Sequence, residues 1–459
     1  MKIKIKIIII AIVSVILSQS LNSQNNPPGY PNRAADFDVL PGFKNPPPGY
    51  GEVPFYWWMG DTLTRERLGW QLDKLLGKGI TSLQVNYAHA DKGGLKWGLS
   101  FPSQPALFTK EWWDLFGWFM QEAKKRGMAV SLSDYTLGVG QGSYVDAAIN
   151  AYPEVNGSEL FCEMKSVKAD STLQWELPEG CLSITAYHLE NQKIIPASAI
   201  DLKEKVVNKI LTWKAPGAVK GRRPEPVEVK WQIVCVYAKK KIPSLDPMNP
   251  VSGKAYIENF FQRFEDHFPG EAGKRFNFFF SDELDFQLSG YLWNDYFEKE
   301  FLKRKGYAIQ PELPALFVDI GQRTAKIRLD YNDVMVSLSE EGFFRPIYQW
   351  QQDRGMIYGC DHGGRGKDVI EFGDYFRTQK YNQGPGCDQP FLLQDIIKNK
   401  VAASIAHLYE RPRVWLEGFH SSGWSTNSAA LTAAIFGNYV MGQNLLSLHG
   451  LYYSTHGGW

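Results

Sequence analysis

The chain has 459 residues, enough for two or three domains or for one large barrel with an insertion. Lys plus Arg number 50 against 49 Asp plus Glu, so no charge excess points to nucleic acid or to an anionic membrane as partner. The 15 Trp, 22 Tyr and 27 Phe first of all fill a core, and their flat faces also suit stacking on sugar rings.

The N-terminus has the three-part plan of a secretory signal peptide. MKIKIK is basic, Ile7 to Leu17 are apolar apart from Ser14, and small and polar residues follow to Ser23. The run is too short for a membrane-crossing helix, so the protein is expected to be exported, periplasmic or extracellular, with no stable membrane span. The five cysteines, Cys162, Cys181, Cys235, Cys360 and Cys387, show neither zinc spacing nor the density of a disulfide framework, and read as buried free thiols.

A Pro/Gly/Asn-rich linker leads into the first strand, 55-FYWWM-59. Thr64 caps the first helix, whose apolar face is Leu68, Leu72, Leu75 and Leu76; a Gly-Lys-Gly stop at 77–79 precedes strand two, 80-ITSLQVNYA-88. The second helix opens at Thr109 and ends in KKRG, and 128-MAVSLSDY-135 is strand three. This alternation predicts a parallel α/β architecture.

From about 154 the pattern breaks into short β-type runs such as 182-LSITAYHL-189 and 231-WQIVCVYA-238, which read as a β-rich insertion. The alternation resumes with a helix at 251–267, strand four at 276–281, and a long helical region at 324–354. A strand at 356–364 follows, then a poorly defined member near 368–381. Helix 394–410, strand 413–419, helix 428–442 and strand 445–453 complete the pattern. Roughly eight strand–helix units predict a (β/α)8 barrel with its insertion after strand three. The divisions are a signal peptide (1–23), a linker (24–54), barrel strands one to three (55–153), the insertion (154–243) and the rest of the barrel (244–459). The chain stops at 457-GGW-459, which reads as a C-terminus cut short.

Barrel chemistry sits at the C-terminal ends of the strands. The polar residues there are Asn86, Tyr87 and His89 after strand two and Asp134 after strand three; Asp282, Glu283 and Asp285 follow strand four. Asp361 and His362 follow the next strand, Glu417 and His420 the one near 413–419, and His449 the last. Two carboxyl groups across one cleft are what glycoside hydrolysis needs, and Glu283 and Glu417 are the best pair for catalysis. Asp134, Asp282, Asp361, His362, His420 and His449 are the candidate substrate-binding residues. A turn-forming role competes at Asp361, and an N-cap or ion-pair role at Asp282. Hard oxygen ligands are present for calcium, but no metal ligand set can be assigned.

The segments 55-FYWWMGDTLTRERLGWQLDKLLGKGITSLQV-85, 278-FFFSDELDF-286, 400-KVAASIAHLYERPRVWLEGFHSSGW-424 and 449-HGLYYSTHGGW-459 resemble glycoside hydrolase family 106, the α-L-rhamnosidases. The resemblance implies a (β/α)8 catalytic domain, an inverting mechanism, a carbohydrate substrate and a calcium ion that helps bind rhamnose. It implies that Glu283 is the general acid and Glu417 the general base. Where relatives place a glutamate, this chain has Asp361 in CDHGGRG, so a different sugar specificity is the alternative. A degenerate, non-catalytic carbohydrate-binding protein is the third reading.

Overall fold

The computed structural model describes residues 44, 52–87, 104–133, 148–217, 230–284, 286–362 and 371–456; within these, the side chains at 277–279, 282, 283, 360, 362 and 371 are not described. The signal-peptide segment 1–23 lies outside the described residues. Among the described residues, no helix is long and apolar enough to cross a membrane.

Among the described residues, parallel strands run in chain order: β1 (Phe55–Trp58), β2 (Ser82–Tyr87), β3 (Ala129–Ser133), β4 (Phe276–Leu284), β5 (Ile357–His362), β6 (Gly386–Gln389), β7 (Trp415–Gly418) and β8 (Leu445–Leu448). They form two ladders. One holds β5-β4-β3-β2-β1 with Leu451–Tyr452 added beside β1, and the other holds β6-β7-β8. At one seam, Val53 N donates to Leu446 O at 2.7 Å and Ser447 Oγ donates to Val53 O at 2.6 Å. At the other, Tyr358 O accepts from Gln383 N and Gly384 N at 2.9 and 3.1 Å. The architecture is barrel-like, with ladder pairing interrupted at both seams.

Side-chain parity divides the strands into two faces. Phe55, Trp57, Phe280, Ile357, Trp415 and Leu445 meet in one inner cluster. Tyr56, Trp58, Leu83, Val85, Val130 and Leu132 pack outward against the helices. Helix α1 (Arg65–Leu76) starts at Thr64, whose hydroxyl accepts from Arg67 N at 3.2 Å. Leu68, Leu72 and Leu75 are buried, whereas Leu76 points to solvent. Helix α2 (Lys110–Lys125) is capped by Thr109 and brings Phe119 edge-on to Trp58, with ring centroids 4.9 Å apart. Gly127, at φ 68, makes the left-handed turn that leads into β3.

Two helices, α3 (Ser252–Asn259) and α4 (Phe261–His267), meet at a bend at Phe260 where one helix was expected. The long helical region is α5 (Arg323–Ser339), a π-helical stretch at Glu340–Phe344 and α6 (Arg345–Asp353). Glu340, buried in the π stretch, is held by Arg377 at 2.5 Å and by Lys380. The segment 371–381 is not a strand: Glu371–Gly373 is a 3-10 turn and Tyr375–Gln379 a short helix. The missing member is β6 at 386–389 instead. Helices α7 (Ile396–Leu408) and α8 (Ser428–Val440) follow β6 and β7.

Between β3 and α3 the chain builds an antiparallel sheet around the long strands Ser158–Lys168, Cys181–Glu190 and Lys230–Lys240, and beside it a three-stranded sheet. Trp175, Trp213, Trp231, Ile184 and Ile233 form their own core. The larger sheet also takes in Tyr291–Trp293, which lies beyond β4 in sequence and pairs with Ser158–Leu160. Glu159 binds the same stretch, accepting from Ser289 N and from Gly290 N, the latter at 3.0 Å. Cys162, Cys181, Cys235 and Cys387 are free thiols, and the sulfurs of Cys181 and Cys235 are 3.5 Å apart.

Candidate active site

The acids expected beyond strand four belong to it. β4 runs to Leu284, and its pairing with β5 slips between Ser281 and Leu284. Asp282 and Glu283 together oppose the single residue Asp361, a β-bulge. Bulges of this kind re-aim side chains and are common beside active sites. The side chains of Asp282, Glu283 and His362 lie outside the described part, as do Asp134 and Asp285 entirely. Asp361 stands in strand β5, fully buried, rather than in a glycine-rich turn. It shares the inner-face parity of Ile357.

On the other ladder the polar residues come together. Asp388, Glu417 and Ser447 stand level on β6, β7 and β8. Asp388 and Glu417 are 1% and 4% exposed, so each carboxyl group needs partners of its own. Glu417 Oε1 lies 2.8 Å from His449 Nδ1. Asp388 Oδ2 lies 3.3 Å from His420 Nε2, while His420 Nδ1 contacts Ser421 Oγ at 3.0 Å. The buried ammonium of Lys398 bonds the backbone oxygen of Asp388 at 2.8 Å. The result is two carboxylate–imidazole pairs side by side, with the histidine rings 5.8 Å apart.

Burial pushes the His449 imidazole down to about 3; neighbouring His420 adds to this and Asp388 opposes it. His449 is therefore neutral across ordinary pH. When Glu417 is ionised, a neutral ring bonds it through Nδ1 only as the Nδ1–H tautomer, in which His449 donates and Glu417 accepts. Aromatic walls fix that ring, with Phe55 at 5.2 Å and Trp57 at 5.4 Å. Phe280 and Trp415, with ring centroids 3.7 Å apart, belong to the inner cluster, and Trp415 shares the strand parity of Glu417. A carboxylate held in one orientation beside an apolar wall is equipped to take a proton from water.

Calcium takes six to eight oxygen ligands. Among the described residues, no three His, Cys, Asp or Glu side chains are grouped closely enough to hold a metal. The described carboxylates of this ladder are each engaged by an imidazole, so the described donors do not fit a calcium shell.

Asp388 was missed in the sequence. GCDQ contains no β-branched or aromatic residue, so β6 carries no strand signal. The spacing of the alternation was the available clue: a strand had to end just before the helix that begins after Asp395.

Residues 244–454 match the family model described as alpha-L-rhamnosidase, that of glycoside hydrolase family 106. The match covers just under half of the chain. The matched segment contains β4 to β8, and with them Glu283, Asp361, Asp388, Glu417, His420 and His449. Among solved structures, a rhamnosidase from Novosphingobium sp. PP1Y superimposes with a TM-score of 0.62 at 12% identity, over 91% of this chain and 57% of that one. The chain thus spans little more than half of that protein's length, and the likeness supports the fold. An endo-beta-1,4-mannanase from Thermotoga petrophila is similar at a TM-score of 0.37 and 7% identity, over 87% of this chain and 68% of that one. No curated protein matches.

Proposed function

We propose that the protein is an exported glycoside hydrolase that removes terminal sugars from a polysaccharide or glycoconjugate by an inverting, α-L-rhamnosidase-type reaction in a (β/α)8 barrel. The observation that carries this reading is Glu417, a buried carboxylate oriented by a neutral histidine inside the family 106 segment. Glu417 is the general base that takes a proton from the attacking water. Glu283, on the bulge of β4, is the general acid that protonates the leaving oxygen. Inversion needs roughly 6.5–9.5 Å between the two carboxyl groups, leaving room for that water.

The test is hydrolysis of aryl α-L-rhamnosides by the parent, Glu283→Gln and Glu417→Gln, with proton NMR of the first-formed anomer. Full activity in both variants sinks the assignment; a retained anomer sinks inversion. Asp361 motivates a second reading, the same chemistry on a different sugar. Turnover of another aryl glycoside and not of the rhamnoside selects it.

Export rests on the N-terminal pattern, and a mature protein that still begins at Met1 contradicts it. A calcium ion is implied by the family resemblance alone. Activity unchanged after EDTA treatment and dialysis removes it from the proposal.

A further inference from the structure

On β2 and β3 the inner face is polar. Gln84 stands level with Phe55 and Ser131, Asn86 with Trp57, and Ser133 with Phe280, so all three face the same interior as those aromatic rings. Such interiors are ordinarily filled by branched apolar side chains. Gln84 and Asn86 are 0% and 1% exposed. Among the described residues, neither the nitrogen nor the oxygen of either amide has a hydrogen-bond partner. Buried polar groups are nearly always bonded, and two adjacent inward amides with four unanswered atoms need a reason.

Their neighbours supply one. Phe55 and Trp57, level with the two amides, are the rings that pack on His449, which holds Glu417. The amides therefore lie one strand beyond the wall of the carboxylate site. An amide both donates and accepts, and so does a sugar hydroxyl. We infer that Gln84 and Asn86 are a binding subsite for the vicinal hydroxyl groups of one pyranose ring, left unbonded until the sugar arrives. The inference rests on the functional reading above for the sugar's presence, but not for its identity.

The experiment compares the parent with Gln84→Met and Asn86→Leu, near-isosteric changes that remove the polar atoms. Three quantities are measured: thermal midpoint, kcat/KM on an aryl α-L-rhamnoside at pH 5 and pH 7, and calorimetric binding of L-rhamnose, D-mannose and L-fucose. In each variant kcat/KM is expected to fall roughly tenfold or more. The loss should be equal at both pH values, because an amide does not titrate. The midpoint should hold or rise, because an unpaired buried group has been removed. Activity and sugar binding within twofold of the parent overturn the inference, and so does a collapse of the midpoint, which would mean that the amides are bonded within the fold. If the parent binds a sugar that the variants lose but hydrolyses no glycoside, the functional reading fails and the subsite stands. A parent that binds none of the three sugars and hydrolyses nothing overturns both.

Discussion

The two sides of the strand interior treat their polar groups in opposite ways. On β6 to β8, Asp388 and Glu417 each have an imidazole, and Lys398 adds a buried ammonium. On β2, Gln84 and Asn86 have nothing among the described residues. The difference follows from charge. An unpaired buried carboxylate costs far more than a fold's whole margin of stability, whereas an unpaired amide costs about 1–3 kcal/mol. Ionised groups must therefore be satisfied in the free protein, and neutral ones can wait for a ligand.

The most severe way to break the comparison is Glu417→Gln, which keeps the shape and removes the proposed base. kcat is expected to fall roughly 10²- to 10⁴-fold with KM little changed. A fall in kcat/KM carried by KM alone would make Glu417 a binding group. His449→Phe should follow, at about 10²-fold, because the carboxylate loses its orienting donor. His449→Asn, which can still donate, should recover part of that loss in the same assay. Asp388→Asn should cost less, about tenfold, since a neutral hydrogen bond to His420 replaces a charge-assisted one.

A further effect is on stability. His449 titrates near 6.5 when unfolded and near 3 when folded, so the unfolded chain binds the extra proton between those values. Its contribution is complete above about pH 6.5 and is lost progressively as pH falls toward 3. Thermal midpoints of the parent should drop across this window, and those of His449→Asn should drop less steeply. Equal slopes would mean that the imidazole is not buried neutral.

The sequence showed well those parts of the fold that rest on local signals. Thr64 and Thr109 cap their helices as expected, and β1 to β4 were visible as apolar runs ended by glycine or helix caps. β6 was hidden because Gly386, Cys387, Asp388 and Gln389 owe their strand to neighbours rather than to propensity. At the site, Glu417, His420 and His449 could be listed but not paired, since the pairing is made by register across three strands. The slip that sets Asp282 and Glu283 opposite Asp361 is likewise a property of two strands together.

The sheet between β3 and α3 does not stand apart from the acids of β4. Its strand Ser158–Lys168 pairs with Tyr291–Trp293, and Glu159 grips the turn just before, only a few residues downstream of Glu283. An attempt to trim the protein by excising 158–240 would cut loose the stretch that follows its proposed proton donor. For transplantation into another scaffold, the sheet and β4 have to travel as one unit.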